Sequence, residues 1–193
     1  LITHPHILLM LSVTILGYGS TFATFTYLSP ILQEITKIEA QSVSFVLVAY
    51  GIAIAIGNHL GGKFGKISPI KSLLIVFIPQ ALILAIFHFT AESLYAGFAT
   101  IIGMGLLAFM SVPLLQSYIM ELAKRYVPHA VDLASSLNIA SFNGGIAVGT
   151  GFGGYVIDHA GLIYTPIAAA SMAAVAVVLV LISVKLDRHY RKA

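Results

Sequence analysis

Cysteine is missing from all 193 residues. The chain can therefore form no disulfide framework, no thiolate metal site and no thiol nucleophile. Charge is scarce as well. Asp, Glu, Lys and Arg make up 9% of the residues, against about 25% in a soluble domain. Apolar residues reach 59% and the mean hydropathy is +0.98. So few polar side chains cannot cover a water-facing surface, and lipid is the natural solvent. No secretory signal is visible in the first residues, LITHPHILLML, which have neither a basic start nor a small-residue cleavage site. The first residue is Leu1 rather than Met, which reads as a piece of a longer polypeptide.

What the sequence does hold is six long apolar runs, about Ile7–Leu28, Ser42–Leu60, Ser72–Phe89, Leu94–Met120, Ser135–Ile157 and Thr165–Val184. Roughly 20 apolar residues cross a hydrocarbon core as a helix. No Asp, Glu, Lys or Arg lies in the central part of any run, where each would cost about 2.5–3.5 kcal/mol on insertion. Runs such as ALILAIF are apolar on every side, unlike the strict alternation of a barrel strand. Only a helix pairs all their backbone groups inside lipid.

The basic residues sort by side. Lys63, Lys66, Lys71, Lys124, Arg125, Lys185, Arg188, Arg191 and Lys192 fall at one set of span ends, and Lys37 alone at the other. The positive-inside rule then makes the loops at 61–71 and 121–134 and the tail KLDRHYRKA cytoplasmic. Both ends of the segment are expected there. Glu34, Glu39, Glu92 and Asp158 are expected outside.

The stretch GNHLGGKF, Gly57 to Phe64, imitates a P-loop, G-x-x-x-x-G-K. The imitation fails at Phe64, which has no hydroxyl to hold magnesium, and Gly57 lies within a span rather than after a soluble strand. Gly57, Gly61 and Gly65 instead recur every four residues on one helix face, a spacing that lets helix backbones approach in lipid. Gly145, Gly149 and Gly153 form a second such face, with packing or a hinge as its role. Lys63 and Lys66 mark the cytoplasmic loop. Pro113 sits inside the fourth span, where it kinks a helix, with gating or a plain structural kink as its role.

The chain also resembles itself weakly. Pro30-Ile31-Leu32-Gln33 matches Pro113-Leu114-Leu115-Gln116, Gly57-x-x-x-Gly61-Gly62 matches Gly149-x-x-x-Gly153-Gly154, and Pro69-Ile70 matches Pro166-Ile167. Spans one to three then correspond to spans four to six. Three is odd, so the second unit enters the membrane from the opposite side. The expected fold class is an all-α membrane protein with six transmembrane helices as a 3+3 inverted repeat, a single domain over 1–193 with units of about 1–92 and 93–193. Such repeats are a feature of each half of major facilitator transporters.

Two stretches carry a family resemblance over nearly the whole chain. Gly57 to Lys66 resembles the second-half loop signature of the major facilitator superfamily (MFS), roughly G-x-x-x-D-R-x-G-R. Gly62 stands where that signature carries Asp, which puts a charge-relay gating role for this loop in doubt. Ser135 to Asp158, SSLNIASFNGGIAVGTGFGGYVID, is similar to the eleventh helix of bacterial drug:proton antiporter-type members, including the arabinose- and purine-efflux branch. The resemblance implies that these spans are helices seven to twelve of a twelve-helix carrier of the bacterial inner membrane. It implies proton-coupled efflux of a small organic molecule by alternating access, with the missing N-terminal half, or a second copy, as the other wall. No cofactor and no nucleic acid are implied; the partners are the lipid bilayer and a small-molecule substrate.

By that resemblance the first, second, fourth and fifth spans approach the cavity, and the third and sixth face lipid more. The polar and aromatic residues inside the four are the cavity candidates: Tyr18, Phe22, Thr26, Tyr50, Gln116, Asn138, Phe142 and Asn143. Each has an alternative as interhelical glue, at about 0.6 kcal/mol per contact. No metal site is expected, because the seven histidines lie near span ends or in loops, away from carboxylates at ligand spacing. A non-transporting membrane module and an intramembrane enzyme are the rival classes. The latter needs a Ser/His, paired Asp or His/Glu set at one depth, and none is evident, so the chain is read as no enzyme.

Overall fold

Proline opens two of the long helices at their first turn, where its fixed φ is pre-organised and its missing N–H costs nothing. In the structure, a computed structural model that describes residues 4–66 and 68–190 and side chains as far as Leu186, these are α1, Pro5–Phe25, and α3, Pro69–Thr90. The others are α2, Ala40–Gly65, α4, Leu94–Tyr126, α5, Val131–Ala160, and α6, Thr165–Tyr190. The described residues include no strand. Ser93 caps α4 through its hydroxyl, which accepts from the Ala96 N–H at 3.4 Å. Gly161, with φ +103°, ends α5 in a conformation that glycine alone adopts freely.

The helices outrun the apolar runs at their ends. The first continues past Leu28 through a short turn, Leu28–Pro30, and then a π-helical turn, Ile31–Ile35, which follows Pro30 directly. Five helical stretches are long and apolar enough to cross a membrane: Pro5–Ile35, Ala40–Gly65, Pro69–Thr90, Leu94–Tyr126 and Leu162–Leu186. Helix α5 has 30 residues, about 45 Å at 1.5 Å per residue, but falls short in apolarity. Its Ser135, Ser136, Asn138, Ser141, Asn143 and glycines explain why.

Packing follows an exchange rule. Helix α1 lies chiefly on α5 and α6, α4 lies on α2 and α3, α3 meets α6, and α1 meets α4. Swapping α1 with α4, α2 with α5 and α3 with α6 exchanges α1–α5 with α2–α4 and α1–α6 with α3–α4, and leaves α3–α6 and α1–α4 as they are. Glycine sets the closest of them. A Cβ at Gly57 would meet the Leu106 carbonyl, and one at Gly61 the Met110 carbonyl and the Pro113 ring. On the other side, a Cβ at Gly145 would lie 2.8 Å from the Ile15 carbonyl oxygen, and those at Gly149 and Gly153 would meet the carbonyls of Gly19 and Ala23. Gly65 is looser: a Cβ there would reach only side chains of Leu114 and Ser117, at 3.4 and 3.5 Å. Pro113 fits this scheme as a knob, since its ring needs the space that Gly61 leaves.

All the ends that carry Lys63, Lys66, Lys71, Lys124, Arg125 and Lys185 share one end of the bundle, because successive helices alternate in direction. The side chains of Arg188, Arg191 and Lys192 lie outside the described residues. At that same end the His6 and Tyr126 rings stack, with centroids 4.6 Å apart. At the opposite end His88 donates from Nδ1 to the Ile163 carbonyl at 2.9 Å.

The glycine contacts make a paired prediction. Gly149→Ala drives a methyl into the backbone of α1, and overpacking of this kind costs about 1–3 kcal/mol. Gly51→Ala, on α2 beside the exposed Val48 and Ile52, meets nothing within 4 Å and gains up to about 1 kcal/mol of helix propensity. Thermal melts of the purified full-length protein in detergent should show Gly149→Ala melting lower than wild type and Gly51→Ala melting no lower.

Candidate functional site

Tyr18, Phe22 and Phe25 follow the i, i+4, i+7 rhythm of one helix face, and α1 sits among α4, α5 and α6. The result is an aromatic seam. The Tyr18 ring lies 4.9 Å from Phe142 of α5, 5.8 Å from Phe109 of α4 and 5.1 Å from Phe22, centroid to centroid. Phe22 meets Phe25 edge-on at 5.9 Å, and Phe25 stacks on Tyr50 of α2 at 4.8 Å and 14°. Edge and stacked pairs of this geometry add about 0.5–1.5 kcal/mol each beyond burial. Four cavity candidates, Tyr18, Phe22, Tyr50 and Phe142, thus fall in one seam. Phe25 was open to the same spacing argument and was missed. Phe109 carried no local signal.

The amides form a second system. The Thr14 hydroxyl donates to Asn138 Oδ1 at 2.7 Å, Asn138 Nδ2 donates to Gln116 Oε1 at 2.8 Å, and Gln116 Nε2 donates to Ser135 Oγ at 2.6 Å. Three helices, α1, α5 and α4, are joined by it. Thr14 and Asn138 are both 0% exposed, so each needs a partner to offset its desolvation. Gln116 and Ser135 are half-buried.

The remaining candidates divide. Thr26 hydrogen-bonds Thr150 of α5, hydroxyl to hydroxyl, at 3.0 Å, and the Tyr27 hydroxyl donates to the Thr150 carbonyl at 2.8 Å. Asn143 stands apart and exposed, with its amide donating only to the Ile139 carbonyl of its own helix at 3.4 Å. Tyr50 is 1% exposed; its ring fills the space beside Gly105, where a Cβ would lie 2.8 Å from it. Lys63 and Lys66 are exposed at the end of α2.

Helix α3 holds the residue that the sequence reading passed over. Gln80 is 2% exposed. Its Nε2 lies 3.0 Å from Ser20 Oγ, 3.1 Å from Thr21 Oγ1 and 3.3 Å from the Gly17 carbonyl, all on α1. The available signal was an amide at the centre of an otherwise apolar run, next to Pro79. The rule that this span turns toward lipid hid it.

Formal charge stays out of the bundle centre. The ion pair Arg125–Glu121, 3.2 Å, lies one turn apart near the end of α4, with both side chains well exposed. No group of three or more His, Cys, Asp or Glu able to hold a metal occurs among the described residues. The chemistry available in the interior is hydrogen bonding by neutral groups and contact with aromatic faces.

Gln80→Leu removes the α1–α3 link while keeping volume close. Interhelical polar contacts in membranes contribute about 0.6 kcal/mol on average and up to about 1.7. The variant should lose stability within that range in a thermal melt, whereas Gln33→Leu, which touches only Ser29 one turn away, should melt like wild type.

Residues 9–193 match the family model described as Major Facilitator Superfamily. Over 165 residues the chain is 54% identical to an uncharacterized MFS-type transporter, YtbD, of Bacillus subtilis strain 168, covering 86% of this chain and 42% of that protein. It is 36% identical over 183 residues to the inner membrane transport protein YdhP of Escherichia coli K12, covering 94% of this chain and 46% of that one. A probable sugar efflux transporter of Helicobacter acinonychis is 30% identical over 154 residues, with 78% and 37% covered. The chain spans less than half the length of these relatives. They are transport proteins rather than enzymes, and a bundle of apolar helices with these relatives is a multi-pass membrane protein of bacteria. The close-packed helix pairs, the interior free of formal charge and the match over nearly every residue lead to one conclusion: the chain belongs to the major facilitator superfamily.

Proposed function

We propose that the chain forms one half of a secondary-active carrier that exports a small organic molecule by alternating access. Membership of the family supports transport in general. The observation that carries the finer reading is the face around Asn143. Ser136, Ala140, Asn143, Ala147 and Gly151 recur along α5 and are all exposed. A carboxamide at the middle of a spanning helix is costly to turn toward hydrocarbon. This face therefore meets protein or water, and among the described long helices α5 alone falls below the apolarity of a membrane-crossing helix. The other half of the polypeptide, or a second copy, is the proposed cover, with the solute path between the two.

Phe22, Thr26, Gln116, Phe142 and Asn143, all exposed or half-buried, are proposed as the solute-facing set. Tyr18, Tyr50 and Asn138 are buried even without a cover, and stand as the layer behind. The exchange of helix pairings supports a repeat of two three-helix units, about 1–92 and 93–193, inverted as in other carriers of this type. Gly57, Gly61, Gly65, Gly145, Gly149 and Gly153 then act as packing surfaces, and Pro113 as a knob against Gly61 rather than a free hinge. Coupling to protons ordinarily uses an ionisable group within the membrane. The central parts of these six helices hold no Asp or Glu, so the coupling carboxylate is proposed to lie outside this segment. The word efflux in the names of several relatives supports export as the direction.

Transport is tested with the full-length gene in a bacterial host stripped of its own exporters, using a pentose, a hexose, a nucleoside and an aromatic dye. Asn143→Ala should reduce export of the transported solute at normal expression. Undiminished export across variants of Tyr18, Gln116, Asn138 and Asn143 would sink the site assignment. The proposed orientation, with both ends of the segment in the cytoplasm, has its own check. Cysteines placed at Lys66 and Glu92, in an otherwise cysteine-free full-length protein, should differ toward a membrane-impermeant maleimide applied to intact cells. The cysteine at 92 should react and the one at 66 should not; the reverse pattern refutes the orientation.

A further inference from the structure

The hydrogen-bonded chain through Asn138 is directional. Each carboxamide has an oxygen at one side and an NH2 at the other, and which is which is set by the network rather than seen directly. Asn138 gives its oxygen to Thr14 and its N–H to Gln116. Turning either amide alone would set Asn138 and Gln116 oxygen to oxygen or N–H to N–H. The two therefore hold each other, and Thr14, buried at 0% exposure, anchors the inner end. Its hydroxyl has one further acceptor, the Met10 carbonyl at 3.2 Å, but the contact to Asn138 is shorter at 2.7 Å. At the outer end Gln116 is half-buried and spends one N–H on Ser135. Among the described residues its second N–H has no partner.

We infer that Thr14 and Asn138 are positioning residues that hold the Gln116 carboxamide so that it presents a free N–H on the half-exposed surface of the bundle, where it donates to an oxygen of an uncharged solute. The last step rests on the transporter reading; the positioning does not. Linked hydrogen bonds polarise one another, so loss of the buried end is felt at the exposed end. A packing role alone would need bulk at positions 14 and 138, not a hydroxyl and an amide.

The test uses the full-length protein, ¹⁵N-labelled at glutamine side chains, in detergent micelles. The Gln116 amide pair is assigned by its disappearance in Gln116→Leu. Thr14→Val, which keeps shape and removes the hydroxyl, should shift that pair by several linewidths, and Asn138→Leu should shift it further. Thr14→Ser, which restores the hydroxyl, should leave it in place. A Gln116 pair that stays put in Thr14→Val, or that moves equally in Thr14→Val and Thr14→Ser, overturns the positioning. A water-exchange spectrum of the wild type should show one Gln116 amide proton exchanging faster than its twin; equal protection of both overturns the presented donor. A full-length protein that exports none of the four solutes above counts against the transporter reading and leaves these spectra unchanged, so the two failures are told apart.

Discussion

Contact between helix backbones at glycine is the constraint on which the rest of this bundle depends. Lipid tails are as apolar as leucine, so burying leucine against another helix gains little. Association must come from close packing and from hydrogen bonds between helices. Both need short interaxial distances. Gly145, Gly149 and Gly153 bring α5 against the carbonyls of Ile15, Gly19 and Ala23, and Gly57 and Gly61 do the same for α2 against Leu106 and Met110. Only because α5 lies that close to α1 can the short side chain of Thr14 reach Asn138, and Tyr27 reach the backbone of Thr150.

Hydrogen bonding then becomes an allocation. A polar group in hydrocarbon has no water to fall back on; the Ser111 and Ser141 hydroxyls bond back to their own helices, while the larger links run between helices. Gln80 is spent on α1, Asn138 on α1 and α4, and the hydroxyls of Tyr118 and Ser183 on each other at 3.1 Å. Three hydrogen bonds tie the first helix and its end to α5, one at Asn138 and two at Thr150, with the contacts of Gly145 and Gly149 between them. What the allocation leaves over is informative. Asn143 is exposed and Gln116 half-buried, as are Phe22 and Phe142. A wall of this kind can meet a neutral solute with few hydrogen bonds and without formal charge.

The cavity candidates are polar or aromatic groups in four particular spans, and the structure sorts them by depth. Asn138 and Asn143 are five positions apart on one helix and looked equivalent. One is fully buried and bonded on both sides, the other exposed. Five residues turn a helix by about 140° beyond one full turn, given 3.6 residues per turn, so they must face different neighbours. Gln80 shows the same limit from the other side. Its helix is expected to face lipid more, yet a helix has a face for each neighbour, and the Gln80 face belongs to α1.

The sequence by itself determined the number of helices, their near limits, the end of the bundle at which basic residues gather, and the glycine faces. These follow from transfer energies and from the 3.6-residue period, which are properties of residues close in the chain. The family was legible too, because its loop signature and the glycine-rich α5 are contiguous. Only the tertiary structure decided which polar groups pair, which aromatic rings join the seam, and which amide stays accessible. Those outcomes depend on how each helix is rotated against neighbours distant in sequence, as Thr14 is from Asn138. That rotation is set by the summed packing of all six helices, so no local stretch contains it.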